Sequence, residues 1–452
     1  MALGASPLRN TAPGQLGRPF DTFSTLSPSD AVGTPGSAGA VGALGSAGAV
    51  GALGSADSFS TFTEELFGHL PRADQRKWAN GYLQGLLRTP GKKTVRRLAA
   101  TVFDSPTASQ SLHQFVNSSP WPWEPARAGL THWSARRLPL RAWSLGAAVL
   151  PKRGDRSVGV HRRFDPALGR TVNCQLGLGL FLAGGRHSIP VEWRLFLPAH
   201  WSEEPALREG ARIPDATRHE PLWAQAVDLV DTLAARTPLP PVPVVADLVG
   251  FLSPTQLLDA LDARERDFVL SAPTDLPVLA SGGRLGGPGD PGPTVVSRAH
   301  HVLGIGRTRE PLPITVATPD GGRRQLCVRS ALVRLPQDRP GTGSTQRTYR
   351  LFAAREPGEP WPAKVWISNL VHRRVDELLT LAHLAAGTAC AVRALEDDFG
   401  LLDFEGRSFP GWHRHLTLVS AAYAHHRLGW RDRAPGVQPP SPSRVPLQRR
   451  SA

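Results

Sequence analysis

Three apolar, strand-like segments follow one another in the middle of the chain. They cover residues 142–150, 156–164 and 171–182, and turns containing Pro and Gly join them at 151–154 and 166–169. Short apolar runs bounded by such turns are typical of β-strands. A helical segment at 221–236 and a short apolar run at 242–247 come next. This order predicts an α/β protein with a mixed sheet flanked by helices.

A helical pattern precedes the strands, and residues 58–130 are predicted to form a separate helical domain. Trp78, Tyr82 and Leu86 recur four residues apart on one predicted helix face, with Asp74 as a candidate cap. Two further helices are predicted at 94–103 and 109–116. Four cations cluster at one turn of this region: Lys92, Lys93, Arg96 and Arg97. A DNA-contacting domain and a solvated helix start both account for them.

Segments of low complexity divide the rest of the chain. Residues 1–57 are rich in small residues, and residues 36–44 are repeated as 45–53. Such side chains cannot offset their ordering entropy by burial, so we expect a disordered leader, and a disordered basic tail at 431–452. Residues 281–364 begin with a Gly- and Pro-rich stretch and are predicted to be a β-rich insertion. The core is then assigned to residues 131–280 and 365–430.

The charge of the chain indicates which kind of partner it binds, and its cysteines indicate in which cellular compartment it works. The chain has 52 Lys and Arg against 38 Asp and Glu, a net charge of +14. This excess favours a polyanionic partner, although a high-GC genome gives a similar composition. Three well-separated cysteines encode neither a zinc site nor a disulfide framework. The sequence shows no apolar run of the roughly 18 residues that a membrane span needs, and no secretory signal. We therefore expect a cytoplasmic protein.

Four segments together resemble the bacterial insertion-sequence transposases of the DDE type. They are the strand and basic turn at 142–160, then residues 172–175, 192–198 and 404–415. The resemblance spans about residues 60–430 and implies an RNase H-like mixed sheet. It also implies Mg²⁺ as cofactor, double-stranded transposon-end DNA as partner, and a location at the bacterial nucleoid. A homodimer is compatible with it.

The resemblance directs attention to three positions where the family has acids. DDE enzymes hold two metal ions with three carboxylates, and a hard cation such as Mg²⁺ requires oxygen ligands. Asp247, which ends an apolar run, stands at the second position. Gly146 and Ala389 stand at the first and third. Glu396 lies seven residues beyond Ala389, about 10.5 Å along a helix, and cannot simply replace the missing acid.

One retained carboxylate predicts a DDE transposase relative that is inactive or impaired in cut-and-paste transposition. Three alternatives remain open at this point. The chain is an active transposase with displaced carboxylates, a non-catalytic DNA-binding or repressor-like relative, or the product of a decaying gene.

Further cations are candidates for contact with DNA. Those around the predicted strand pair could follow a phosphate backbone, or they could belong to a solvated hairpin: Lys152, Arg153, Arg162 and Arg163. The resemblance adds Arg407, His413 and His415 as residues that contact DNA or the active site. For Trp121 and Trp123, packing between the helical domain and the core is favoured over base stacking.

Overall fold

The computed structural model describes residues 58–165, 169–280, 295–305, 310–317, 322–336 and 347–429. The predicted leader and basic tail lie outside the described residues, as does the Gly- and Pro-rich start of the predicted insertion.

Five helices form the N-terminal part of the described chain. They are α1 (58–67), α2 (Ala73–Arg88), α3 (Val95–Val102), α4 (Ala108–Asn117) and α5 (Glu124–Ala135). Tyr82 and Leu86 are buried as the spacing predicts, and Trp78 is partly buried against Phe103. Asp74 is not the cap, because α2 begins one residue before it and its carboxylate accepts hydrogen bonds from Arg72.

Twelve strands follow within the described residues, and the strand order determines where the candidate site lies. They are β1 (Ala142–Pro151), β2 (His161–Asp165), β3 (Arg170–Gly184), β4 (His187–Leu195), β5 (Val244–Ala246), β6 (Phe268–Pro273), β7 (Pro277–Ala280), β8 (Val295–Arg298), β9 (Leu312–Ala317), β10 (Arg323–Val333), β11 (Tyr349–Arg355) and β12 (Lys364–Ser368). Ten of them form one sheet in the order β2-β3-β1-β5-β6-β12-β11-β10-β9, with β4 also paired to β3. Strands β7 and β8 form a separate pair.

The large sheet is mixed. Strands β1, β5 and β6 are parallel to one another, whereas β1 pairs antiparallel with β3 and β3 with β4. On the other side, β12, β11, β10 and β9 extend the sheet with antiparallel pairings. The fold is therefore the mixed α/β arrangement that the sequence predicts.

Helices cover both faces of the sheet. The remaining ones are α6 (Ala199–Glu203), α7 (Pro205–Ala211), α8 (Leu222–Arg236), α9 (Pro254–Asp262), α10 (Ala299–Val302), α11 (Val375–Asp398) and α12 (Phe409–Leu428). On β4, the indole of Trp193 donates a hydrogen bond to α12, whereas Arg194 bonds to Asp228 of α8. Successive strand residues point to opposite faces, so α12 and α8 lie on opposite sides of the sheet.

Two apolar helices close the core on the α12 side. Nearly every residue of α12 is buried, including polar ones. By length and composition alone, helix α11 could cross a membrane. This corrects the expectation that no segment of the chain is long and apolar enough to do so. Half of its most apolar stretch is buried inside the protein, as is usual for a core helix.

Candidate active site and its surroundings

The first and second predicted positions are brought together where β5 ends. In the parallel pairing of β1 and β5, Leu145 lies opposite Ala246. The next residue on each chain is Gly146 and Asp247, so these two positions are neighbours at the same edge of the sheet. The third position, Ala389, belongs to α11, which packs on this part of β1.

Helix α11 occupies the space in front of Gly146. A Cβ atom added at Gly146 would lie 2.8 Å from Cγ2 of Thr388 and 3.3 Å from Cε2 of Phe181. Thr388 is held in place, since its hydroxyl donates to Ser144 Oγ at 2.7 Å and lies 2.7 Å from Ser188 Oγ. A carboxylate at position 146 would therefore require the helix to move.

Asp247 forms an ion pair with a lysine that the sequence does not single out. The Nζ atom of Lys364, the first residue of β12, bonds to Asp247 Oδ2. The two side chains are 27% and 29% exposed, so the pair is reachable from solvent. Lys364 Nζ also lies 5.7 Å from the ring centroid of Trp366. The negative charge of Asp247 is thus balanced by a cation belonging to the protein.

The residues present do not fit a divalent metal ion. Ala389 is exposed but carries only a methyl group, Gly146 has no side chain, and Asp247 is paired. Among the described residues, no three His, Cys, Asp or Glu side chains come together as metal ligands. Mg²⁺ needs near-octahedral oxygen coordination, and one carboxylate with a neighbouring ammonium cannot supply it.

Glu396 is one of three consecutive acids at the end of α11, with Asp397 and Asp398, and its environment favours the protonated form. Burial raises the pKa of Glu396 to about 7; the charge of Asp397 adds to the effect and that of Arg393 opposes it. This carboxyl group therefore holds its proton at pH values where an ordinary glutamate has lost it. It is poorly suited to binding a cation at neutral pH.

This raised pKa predicts a pH-dependent effect of Glu396→Gln. Between the ordinary pKa of 4.5 and about 7, the unfolded chain loses a proton that the folded protein retains, so stability falls as pH rises through that window. Because solvent screens this partly exposed group, we expect the variant to be about 1–2 kcal/mol more stable than wild type near pH 8. Near pH 4 the two should unfold alike. Urea titrations at both pH values measure the difference, and an equal shift at both would contradict the assignment.

The cations of the N-terminal helices differ in accessibility. Lys92, Arg96 and Arg97 are exposed at the start of α3, where Arg97 also donates to Pro90 O. Lys93 is only 5% exposed; its backbone N–H donates to Asp403 Oδ2 at 2.7 Å and its Nζ donates to Thr89 O. Its predicted role in DNA contact is corrected, because this side chain points into the protein.

In the basic cluster around β2, some side chains are exposed and others bond to the backbone of the protein. Arg153 and Arg162 are exposed. Lys152 is half-buried and donates to Phe404 O at 3.0 Å, and burial lowers its pKa to about 8. Arg163 donates to Gly250 O at 2.6 Å and stacks on Phe251. Arg163 thereby joins this cluster to the loop that follows Asp247.

The two predicted histidines of α12 are buried, which corrects their assignment to DNA contact. His413 is 2% exposed and stacks on Trp123 with ring centroids 4.7 Å apart. His415 is fully buried between the hydroxyl of Tyr82, at 3.1 Å, and the carbonyl of Gly400, at 3.0 Å. Burial lowers the pKa of both, that of His415 to about 4. The stack also shows that Trp123 packs, as predicted.

The sequence singles out two further residues: Arg407 as a contact to DNA or the active site, and Trp121 as a packing residue. The side chain of Arg407 is exposed, and its carbonyl accepts a hydrogen bond from Val158 N at 3.0 Å. Trp121 is 1% exposed and stacks on Phe115 with ring centroids 5.1 Å apart. Arg407 is thus available to a partner, whereas Trp121 is part of the core.

Sequence reasoning missed a buried arginine that joins three elements. All five N–H donors of Arg127, on α5, have acceptors: Nε bonds to Thr417, Nη1 to Glu192 and Trp193 O, and Nη2 to both the carbonyl and the ring of His413. Its side chain is 1% exposed. The only signal in the sequence is a single cation on a predominantly apolar helix.

The sheet, its flanking helices and the carboxylate after β5 define an α/β protein with an accessible acid, Asp247, at the edge where β5 ends. A sequence model of the DDE superfamily endonucleases matches residues 65–292, and the chain belongs to this family. This finding confirms the DDE part of the predicted resemblance. Nucleases of this superfamily generally use divalent metal ions.

Two other comparisons complete the findings. A cryo-EM structure of a piggyBac transposase synaptic complex with hairpin DNA is similar over 83% of this chain and 73% of that chain, with a TM-score of 0.39 and 10% sequence identity. No curated protein matches the chain.

Proposed function

We propose that this chain is a transposase relative that binds double-stranded transposon-end DNA without cutting it. The observation that carries the proposal is the candidate site itself. Of the three predicted positions only Asp247 is an acid; it is paired with Lys364, and α11 fills the space where a second acid would project from position 146. Two-metal cleavage needs several carboxylates around the ions, and this site has one.

We also propose that the core is RNase H-like, as the resemblance implies. Strand order β4-β3-β1-β5-β6 supports it, with the first three strands antiparallel and the last three parallel. Helix α8 precedes β5, and α9 separates β5 from β6. In this arrangement the positions of Gly146 and Asp247 are those from which the family's first two acids project.

A single loop gathers the candidate DNA-binding cations. The loop between α11 and α12 bonds to Lys93 through Asp403, to Lys152 through the carbonyl of Phe404, and to Val158 through the carbonyl of Arg407. It thereby brings the start of α3 and the basic turn after β1 to one region. Exposed cations there include Lys92, Arg96, Arg97, Arg153, Arg162 and Arg407. Neutralising several phosphates with such groups supports binding to duplex DNA.

A cleavage assay tests the proposal. The full chain is incubated with a labelled duplex made from the sequences that flank its gene, in Mg²⁺ or Mn²⁺. We expect a retarded complex in a mobility-shift gel and no nicking above background, and the same nicking background for Asp247→Asn. Metal-dependent nicking that disappears in Asp247→Asn would favour the active enzyme with displaced carboxylates instead.

A further inference from the structure

Lys364 stands beside the acid that the DDE family uses to hold a divalent metal. We propose that its ammonium group is the resident cation of this site and contacts a DNA phosphate without any metal. The proposal rests on the proposed function, since it requires that this edge of the sheet binds DNA. It goes further by naming the group that meets the phosphate and the condition under which binding occurs.

The sheet places Lys364 beside Asp247 across an intervening strand. Strand β6 lies between β5 and β12; Ala246 pairs with Leu270 of β6, and Pro273 of β6 pairs with Lys364. The backbones of Lys364 and of Ala246, the residue before Asp247, are thus held by strand pairings, which keeps the two side chains near each other.

An ammonium group suits this donor set better than a divalent ion does. It has three N–H donors and no acceptor, so a bond to Asp247 leaves other donors for a phosphate oxygen. About a quarter of each side chain is exposed, which leaves the pair open to a ligand. Mg²⁺ would need further oxygen ligands, and neither Gly146 nor Ala389 offers a side-chain oxygen.

The pair is also continuous with the basic surface. Asp247 begins the loop whose Gly250 carbonyl accepts a hydrogen bond from Arg163. Arg162, the preceding residue on β2, is exposed but points to the opposite face of the strand, so Arg163 is the member of the cluster that reaches this loop. A duplex that follows this cluster would therefore reach the Asp247–Lys364 pair along the same backbone.

A lysine-based contact and a metal-based contact predict opposite effects of Asp247→Asn. If a metal mediates the contact, the substitution removes a ligand and weakens binding in Mg²⁺. If Lys364 mediates it, the substitution removes a negative charge near the phosphate and frees the ammonium, so binding becomes about threefold to tenfold tighter. Lys364→Met leaves the carboxylate facing the phosphate and weakens binding by a similar factor. The double variant should return close to wild type.

The experiment measures fluorescence anisotropy of a labelled duplex with the full chain, in EDTA and in millimolar Mg²⁺. Asp228→Asn is the matched control, because it makes the same change of charge on α8, on the opposite face of the sheet, where Asp228 pairs with Arg194. Lys364→Arg tests rescue by a retained charge. Thermal melting of each variant checks that it is folded.

Three outcomes are decisive. Opposite shifts for Asp247→Asn and Lys364→Met, equal in EDTA and Mg²⁺ and not seen for Asp228→Asn, support the proposal. Weaker binding by Asp247→Asn, no effect of either variant, or a wild-type affinity that Mg²⁺ increases would overturn it while leaving DNA binding intact. A wild-type chain that binds no duplex in either condition refutes the proposed function, and this proposal with it.

Discussion

Arg127→Met is expected to lower the free energy of unfolding by about 3–5 kcal/mol, because removing one partner of a buried ion pair leaves an uncompensated charge. Glu192, 7% exposed, would keep only Arg236, whose Nη1 lies 3.8 Å away. The carbonyls of Trp193 and His413 would also lose donors inside the protein. Chemical denaturation followed by tryptophan fluorescence measures the loss.

Arg136→Met provides the matched control for this prediction. Arg136 lies at the C-terminal end of the same helix and pairs with Glu65, but its side chain is 44% exposed. We expect its substitution to cost less than about 1 kcal/mol, as for other exposed pairs. Similar losses for the two variants would show that Arg127 does not hold α5, β4 and α12 together.

A second substitution separates the charge of Arg127 from its size. If the unpaired carboxylate causes most of the loss, Glu192→Gln in the Arg127→Met background should restore part of the stability, since a neutral amide is less costly to bury than an unpaired charge. No recovery would assign the loss to the lost hydrogen bonds to the carbonyls of Trp193 and His413 and to packing instead.

Local patterns in the sequence predict most of the elements near the site. The apolar run at 142–150 is β1, and the short run before Asp247 is β5. The predicted second strand starts too early, because residues 156–160 form a turn in which Val158 bonds to Arg407 O, and β2 begins at His161. Hydrophobic spacing can be recognised from neighbouring residues alone. This turn instead depends on Arg407, which lies about 250 positions further along the chain.

The contacts that decide the chemistry of the site lie beyond such patterns. Lys364 and Asp247 are 117 residues apart, and no spacing rule connects them. His413 and His415 resemble surface residues in sequence, yet they are buried because partners far away in the chain, Trp123 and Tyr82, enclose them. The buried state of a polar side chain depends on its tertiary partners, which a single sequence does not reveal.

Introducing an acid at position 146, the predicted first position, is expected to destabilise the protein without creating a metal site. Gly146→Asp should lower the free energy of unfolding by about 3–5 kcal/mol, because its Cβ would lie 2.8 Å from Thr388 Cγ2 and its carboxylate would be buried without a partner. Adding Ala389→Glu should not change this result. Millimolar Mg²⁺ should leave the melting temperature of the double variant unchanged, since Asp247 is still in an ion pair with Lys364.

The steric part of this prediction can be isolated with smaller substitutions. Gly146→Ala adds the Cβ atom alone and should cost about 1–3 kcal/mol. Thr388→Ser removes the opposing methyl group but keeps the hydroxyl that bonds to Ser144, so Gly146→Ala should cost much less in that background. An equal cost in both backgrounds would mean that α11 does not press on position 146. A melting temperature of the Gly146→Asp, Ala389→Glu variant that rises with Mg²⁺ would show that the site can still open and gather a cation.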